Sequence, residues 1–275
     1  MTLSPSPEPA APARRVRLRG VAFDPLTLEG TIRRVLGSLD AGEGGVLVTS
    51  NLDHLRRAGR DPGFAAILRG ADLLVADGMP LVWASRVAGD PLPERVAGST
   101  LSGELAAAAA AAGRSLLLLG GNPGVADAAA DALRARHPGI RIAGTHCPPV
   151  GFEADPEAST ALRSAVRGSG ADLVYVALGS PKQEKLIAEL RAEGLLPEAW
   201  WIGVGISLSF LCGDVARAPG WAQAAGLEWA HRLAQEPRRL ARRYLVDGLP
   251  FAARLMAGAA ASRLSRSRGW GPPGR

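Results

Sequence analysis

Cysteine is nearly absent. The chain has two, Cys147 and Cys212, too few for a disulfide framework and without the partners of a zinc site. That scarcity predicts a reducing, cytoplasmic setting. Lysine is also scarce: Lys182 and Lys185 are the only lysines among 32 basic residues. Aromatic residues make up 5% of the chain, so the core has to be built from Leu, Val and Ala. Long apolar runs are missing too. The stretch LPFAARLMAGAAA at 249–261 contains Arg254 and is too short to span a bilayer.

Several signatures of catalysis are absent as well. No G-x-x-x-x-G-K-[ST] phosphate loop and no G-x-S-x-G nucleophile elbow occurs. His54, His137, His146 and His231 show no metal-ligand spacing. No D-x-D pair occurs either, and such a pair is a common way to hold a divalent metal on a nucleotide diphosphate. The expectation is chemistry without a metal or other cofactor. Protein cations would then neutralise any diphosphate, and the planar fork of Arg suits phosphate.

What is present fits one large α/β domain, or a domain with an appendage: 275 residues, 47% of them hydrophobic. The net charge of +6 is unevenly spread. Residues 231–275 carry ten Arg against Glu236 and Asp247, a local excess that leaves the rest slightly acidic. A basic segment at one end points to an anionic partner such as a phosphate or an anionic membrane. Nucleic acid is a poor fit, because no stacking aromatics are interleaved with the arginines. The opening MTLSPSPEPAAPARR has no apolar core. It reads as a disordered tail rather than a signal peptide.

From residue 16 short apolar runs alternate with helical patterns. Strands are predicted at 46–49, 73–76, 115–119, 140–143, 173–177 and 200–202, and helices at 52–70, 79–88, 100–112, 123–136, 157–168 and 181–193. This alternation implies a mostly parallel sheet covered on both faces. Ligands of such sheets bind beyond the carboxyl ends of the strands. There stand Thr49-Ser50-Asn51, Asp77-Gly78, Gly120-Gly121-Asn122, the stretch GSPKQE at 179–184, and Gly203-Val204-Gly205. Gly120 and Gly121 open a helix but lack G-x-G-x-x-G spacing, and no acid closes the next strand. A dinucleotide cofactor is therefore disfavoured, although a phosphate or sugar can still approach the backbone there. Asp77 has two readings: a general base whose pKa burial raises, or an N-cap of the helix that follows. From about residue 215 no strand pattern remains. Trp221, Leu227, Trp229, Leu233, Leu240, Tyr244 and Leu245 lie on apolar helix faces with Arg on the others, which predicts a helical appendage. The organisation is thus a tail at 1–15, an α/β domain at 16–214 and a basic appendage at 215–275.

Seven stretches occur in a telling order: TSN at 49–51, ADG at 76–78, ERVAGSTL at 94–101, LGSPKQE at 178–184, GVG at 203–205, RAP at 217–219 and GLEWAHRLAQEPRRLARRYL at 226–245. Together they resemble the WecG/TagA/CpsF family of bacterial glycosyltransferases. The resemblance implies a Rossmann-like α/β core with a helical C-terminal appendage. It implies transfer, with inversion and without a metal, from a UDP-sugar to a polyprenyl-diphosphate-linked sugar. Donors in the family include UDP-N-acetylmannosamine, and its pathways include teichoic acid and exopolysaccharide synthesis. Asp77 becomes the base that deprotonates the acceptor hydroxyl. Thr49, Asn51, Arg95, Gln183, Gly120 and Gly203 would bind substrate, and Arg232, Arg238 and Arg239 would be the candidates for the diphosphate. The appendage and Trp270 would visit the anionic inner face of the plasma membrane, and a homo-oligomer is compatible. One departure is plain: Leu208-Ser209 stands where the family has Phe-Asp. A glycosyltransferase-like binding module without turnover is the competing reading.

Overall fold

The computed structural model describes residues 14–224 and 226–268; of Ala224, Arg239 and residues 266–268 it describes the backbone alone. Most of the tail and Trp270 therefore lie outside the described residues. The core is a six-stranded sheet in which every pairing is parallel. In chain order its strands are β3 (Gly45–Ser50), β4 (Leu73–Ala76), β5 (Ser115–Gly120), β6 (Arg141–His146), β7 (Leu173–Ala177) and β8 (Trp200–Gly203). Their spatial order is β4-β3-β8-β7-β5-β6. A small antiparallel hairpin, β1 (Val16–Leu18) and β2 (Val21–Phe23), precedes them. The fold is the expected Rossmann-like α/β arrangement with helices on both faces.

Buried strands in the middle of such a sheet need apolar side chains on both sides. Every residue of β5 and of β7 is buried. Alternate residues feed opposite faces. Leu47, Leu73, Val75, Leu116, Leu118, Tyr175 and Ile202 pack with α1 (Leu28–Asp40), α5 (Gly98–Ala111), α6 (Val125–Arg136) and α9 (Ser207–Cys212). On the other face Leu117, Val174 and Trp201 meet α7 (Pro156–Ser169) and α8 (Lys182–Ala192). Val48, Leu74 and Ala76 meet α2 (Leu52–Ala58), α3 (Pro62–Arg69) and α4 (Met79–Val87). The helix after β3 and the helix after β8 therefore leave on opposite faces. In this topology the usual ligand position is the crevice beyond the carboxyl ends of two such adjacent strands.

The single helix expected over 52–70 is two helices. Gly59 ends α2, and Asp61 starts α3 by accepting from Phe64 N–H at 3.0 Å with Pro62 in the first turn. Pro has no N–H to give the preceding turn, so it begins a helix better than it continues one. The fourth strand runs to His146, three residues past its expected end at 143. It is a half-exposed edge strand, which weakens its apolar pattern.

The appendage comprises α10 (Gly220–Ala224), α11 (Glu228–Gln235), α12 (Pro237–Ala241), a π-helical turn over Arg242–Gly248, and α13 (Leu249–Arg268). It is not a loose arm. Phe251, Leu255 and Ala259 of α13 are buried in the same cluster as the hairpin and α4. Among the described residues no helix is long and apolar enough to cross a membrane.

Tyr175 ties the two layers together: its hydroxyl, fully buried, donates to the Ser102 carbonyl of α5 at 2.9 Å. Tyr175→Phe is expected to cost about 1 kcal/mol, seen as a lower urea midpoint with an unchanged m-value.

Candidate active site

Two hydrogen bonds build the floor of the crevice. Asp77 N–H donates to Ser50 O at 2.8 Å, continuing the pairing of Ser50 with Ala76. Val96 N–H donates to Ala76 O at 2.9 Å. The first places Asp77 beside Thr49 and Asn51. The second brings the segment carrying Arg95, and the start of α5, against the same strand end.

Asp77 does not cap the helix after it. The N-cap of α4 is Gly78, at φ 139°, and no side chain caps that helix. Instead Asp77 Oδ2 accepts from Gly98 N–H, at the first turn of α5, at 3.3 Å. A Cβ on Gly98 would lie 2.8 Å from Thr49 Oγ1 and 3.7 Å from Asp77 Oδ2. Thr49, Asp77 and the α5 N-terminus thus form one tight group that only glycine at 98 permits. Burial drives the Asp77 pKa up to about 6 from an ordinary 3.8. The Gly98 N–H, Arg95 and His54 hold it back, while the Glu228 carboxylate pushes it further up. A carboxyl tuned near neutrality can take a proton from a hydroxyl and keep a useful fraction ionised.

Asn51 is the N-cap of α2. Its Oδ1 accepts from Asp53 N–H at 3.0 Å and His54 N–H at 3.2 Å, and His54 Nδ1 accepts from Asn51 N–H at 3.0 Å. This capping box leaves only the Asn51 amide NH2 for a ligand. It also sets the tautomer of neutral His54, because an acceptor Nδ1 leaves the proton on Nε2. That nitrogen lies 3.3 Å from Glu184 Oε1, too bent for an aligned hydrogen bond. His54, Gln183 and Glu184 are all buried. Gln183 Nε2 donates to Glu184 Oε1 at 2.8 Å, and Gln183 Oε1 accepts from Gly205 N–H at 3.0 Å. The polar chain joins the starts of α2 and α8 to the loop after β8. Burial pushes the Glu184 carboxyl up, but the adjacent His54 ring, the Gln183 amide and the residue's own backbone N–H together hold it below the ordinary range.

A sequence model of the glycosyl transferase WecG/TagA/CpsF family matches residues 16–265. The chain belongs to that family. It is a glycosyltransferase of cell-surface polysaccharide synthesis, and so works on a sugar donor and an acceptor.

The structure brings Thr49, Asn51, Asp77, Gln183 and Gly203 of this glycosyltransferase to one end of the sheet. Both polar ends of Gln183 are taken by protein groups. A Cβ on Gly203 would sit 2.6 Å from Gln183 Nε2, and one on Gly120 would sit 2.8 Å from Ala177 O. Close packing within the protein therefore already accounts for both glycines. Arg95 is turned to the appendage: its Nη2 donates to Gln223 O at 3.1 Å and its Nη1 lies 3.4 Å from Glu228 Oε2. Arg232 stands over the Phe210 ring and 3.5 Å from Glu236. Arg238 is exposed on α12, and the side chain of Arg239 lies outside the described parts. Among the described residues no three His, Cys, Asp or Glu side chains gather as a metal-binding group. Sequence reasoning gave no role to Gly98, His54, Glu184, Arg217 or Glu228. All but His54 stand in the motifs it quoted, but their partners are distant in the chain.

The raised Asp77 pKa has a sign that can be tested. The folded state binds this proton more tightly than the unfolded chain, so ionising Asp77 destabilises the fold. The cost is absent below pH 3.8 and complete above about 6. Asp77→Asn is expected to be more stable than wild type at pH 8, by roughly 1–3 kcal/mol, and equally stable at pH 3.5 by thermal unfolding. Gly98→Ala is expected to fold and to lose most of its activity, because Thr49 has to move.

Proposed function

We propose that the chain is an inverting glycosyltransferase that uses a UDP-sugar, N-acetylmannosamine-like, and a polyprenyl-diphosphate-linked sugar acceptor, with no metal or other cofactor. The acceptor hydroxyl oxygen attacks the anomeric carbon as Asp77 takes its proton. The bond from that carbon to the UDP oxygen breaks on the opposite face, so the anomeric configuration inverts. The observation that carries this reading is the Asp77 carboxyl, titrating near 6 at the strand end beside Thr49 and held by a helix N-terminus. Thr49 and the free amide of Asn51 line the place where the sugars would meet.

Charge on the departing diphosphate is met by arginine. Arg232 is better placed than the exposed Arg238, because Glu228, four residues earlier, faces the start of α5 and helix positions four apart share a face. Leu208 is buried in the core cluster and Ser209 is buried on the same short helix.

The acceptor's lipid requires a visit to the membrane. Leu245, Val246 and Leu249 are exposed, as is Arg242, and these positions fall on one side of a helical path. Trp221, 70% exposed, adds an aromatic group to the same appendage. Apolar side chains flanked by Arg suit the inner, anionic leaflet. Binding to vesicles with anionic lipid is expected to exceed binding to neutral ones and to weaken with salt; equal binding to both would sink the interfacial part of the reading.

The deciding assay offers a panel of UDP-sugars and a short-chain polyprenyl-diphosphate-N-acetylglucosamine, with EDTA present and Asp77→Asn alongside. One donor is expected to give product, with a rate that rises with pH through about 6, and Asp77→Asn is expected to lose at least about a hundredfold. Product that depends on a divalent metal, or an undiminished Asp77→Asn rate, would overturn the mechanism. No product from any donor, with UDP still bound, would favour a binding module without turnover.

A further inference from the structure

The appendage is rich in arginine, yet it also sends an acid to the start of α5. Glu228 is the first residue of α11, and its side chain is 15% exposed. Its Oε2 lies 3.4 Å from Arg95 Nη1, and its Oε1 lies 3.4 Å from both Arg217 Nε and Ser99 Oγ. Each arginine has a second anchor. Arg95 donates to Gln223 O at 3.1 Å, and Arg217 Nη2 donates to Thr100 Oγ1 at 2.7 Å. Three pieces of chain thus meet at one carboxylate: the segment beside β4, the first turn of α5, and the connection into the appendage. The same first turn of α5 holds Asp77 through Gly98 N–H.

We propose that Glu228 is a positioning residue: it keys the appendage onto the crevice by gathering Arg95 and Arg217 at the start of α5, next to Asp77. Two guanidinium groups drawn toward one point repel each other unless an anion lies between them, and Glu228 supplies it. Removing the charge frees α11 and lets both arginines drift. The charged groups at this cluster are Asp77, Arg95, Arg217 and Glu228, and His54 also acts on Asp77. Within them Glu228 is the only neighbouring charge that disfavours Asp77 ionisation. The proposal rests on Asp77 being the base of the proposed reaction, but its central readouts need no substrate.

The test compares wild type with Glu228→Gln, an uncharged side chain of the same shape, and with Arg217→Gln. Hydrogen exchange of 226–236 is expected to quicken at least about fivefold in both variants. Titration of the Asp77 carboxyl, followed by NMR with labelled aspartate in the free protein, is expected to move to higher pH in Glu228→Gln, because the drifting Arg95, a stronger influence on Asp77 than Glu228, no longer holds it down. With an active donor in hand, kcat is expected to fall about tenfold with donor KM changed less than about twofold. A merely structural role would leave the Asp77 titration where it is. Unchanged exchange together with an unchanged titration in Glu228→Gln would overturn the proposal. If wild type transfers no sugar while both substrate-free readouts shift, the positioning role stands and the reading of the reaction falls. If Glu228→Gln does not fold, Arg217→Gln with wild-type exchange would overturn the proposal.

Discussion

The parallel pairing of β3 with β4 is the constraint on which the site depends. Their register sets Thr49 opposite Val75 and Ser50 opposite Ala76. Both chains leave the sheet at the same level, and the Asp77 N–H extends the ladder to Ser50. A slip of one residue would turn every side chain on β4 to the other face. Leu73 and Val75 would then leave the cluster on the α5 side, and Leu74 and Ala76 would leave the opposite one. The apolar sides of the sheet therefore hold the position of Asp77.

From that strand end the electrostatics follow. A carboxyl left at the edge of a buried sheet resists ionisation, and the N-terminus of α5 makes ionisation tolerable. Glycine at 98 allows the contact because no side chain stands between the helix and Thr49. The acids of the basic C-terminal region each have a partner. Glu228 meets Arg95 and Arg217, Glu236 meets Arg232, and Asp247 meets Arg56 of α2 at 3.1 Å. Arg243 returns the favour to Asp53 at 3.3 Å. Pairs of opposite sense along the seam give register as well as attraction, and most are partly buried, where charge pairs matter more than on an open surface.

Much of the fold was legible in the sequence. The inner core strands lie where short apolar runs stand, because a strand buried on both faces has to be apolar throughout; the half-exposed edge strand β6 was legible only in its first residues. The hairpin at the start and α1 were not distinguished, since three-residue strands carry too little pattern. The break between α2 and α3 was available in Gly59, Pro62 and Gly63, but the helix formers on either side were read through it as one helix. For the site, the strand ends with their polar residues were visible, and Asp77 stood out as an acid in an apolar setting. Whether it capped α4 or faced a ligand was open, because both uses ask for an acid at a strand-to-helix junction.

Composition and local pattern by themselves determined the α/β class, the gathering of polar residues at the strand ends and the arginine-rich end, since each is a property of neighbouring residues. Tertiary structure alone decided that Asp77 answers to Gly98 rather than to its own helix. It also decided that Gln183 turns inward to Gly205, that His54 meets Glu184, and that Arg95 turns to Glu228. These contacts join residues 21 to 133 positions apart in the chain. No local spacing encodes them, because the pairing of distant side chains is set only once the sheet register and the helix docking are complete.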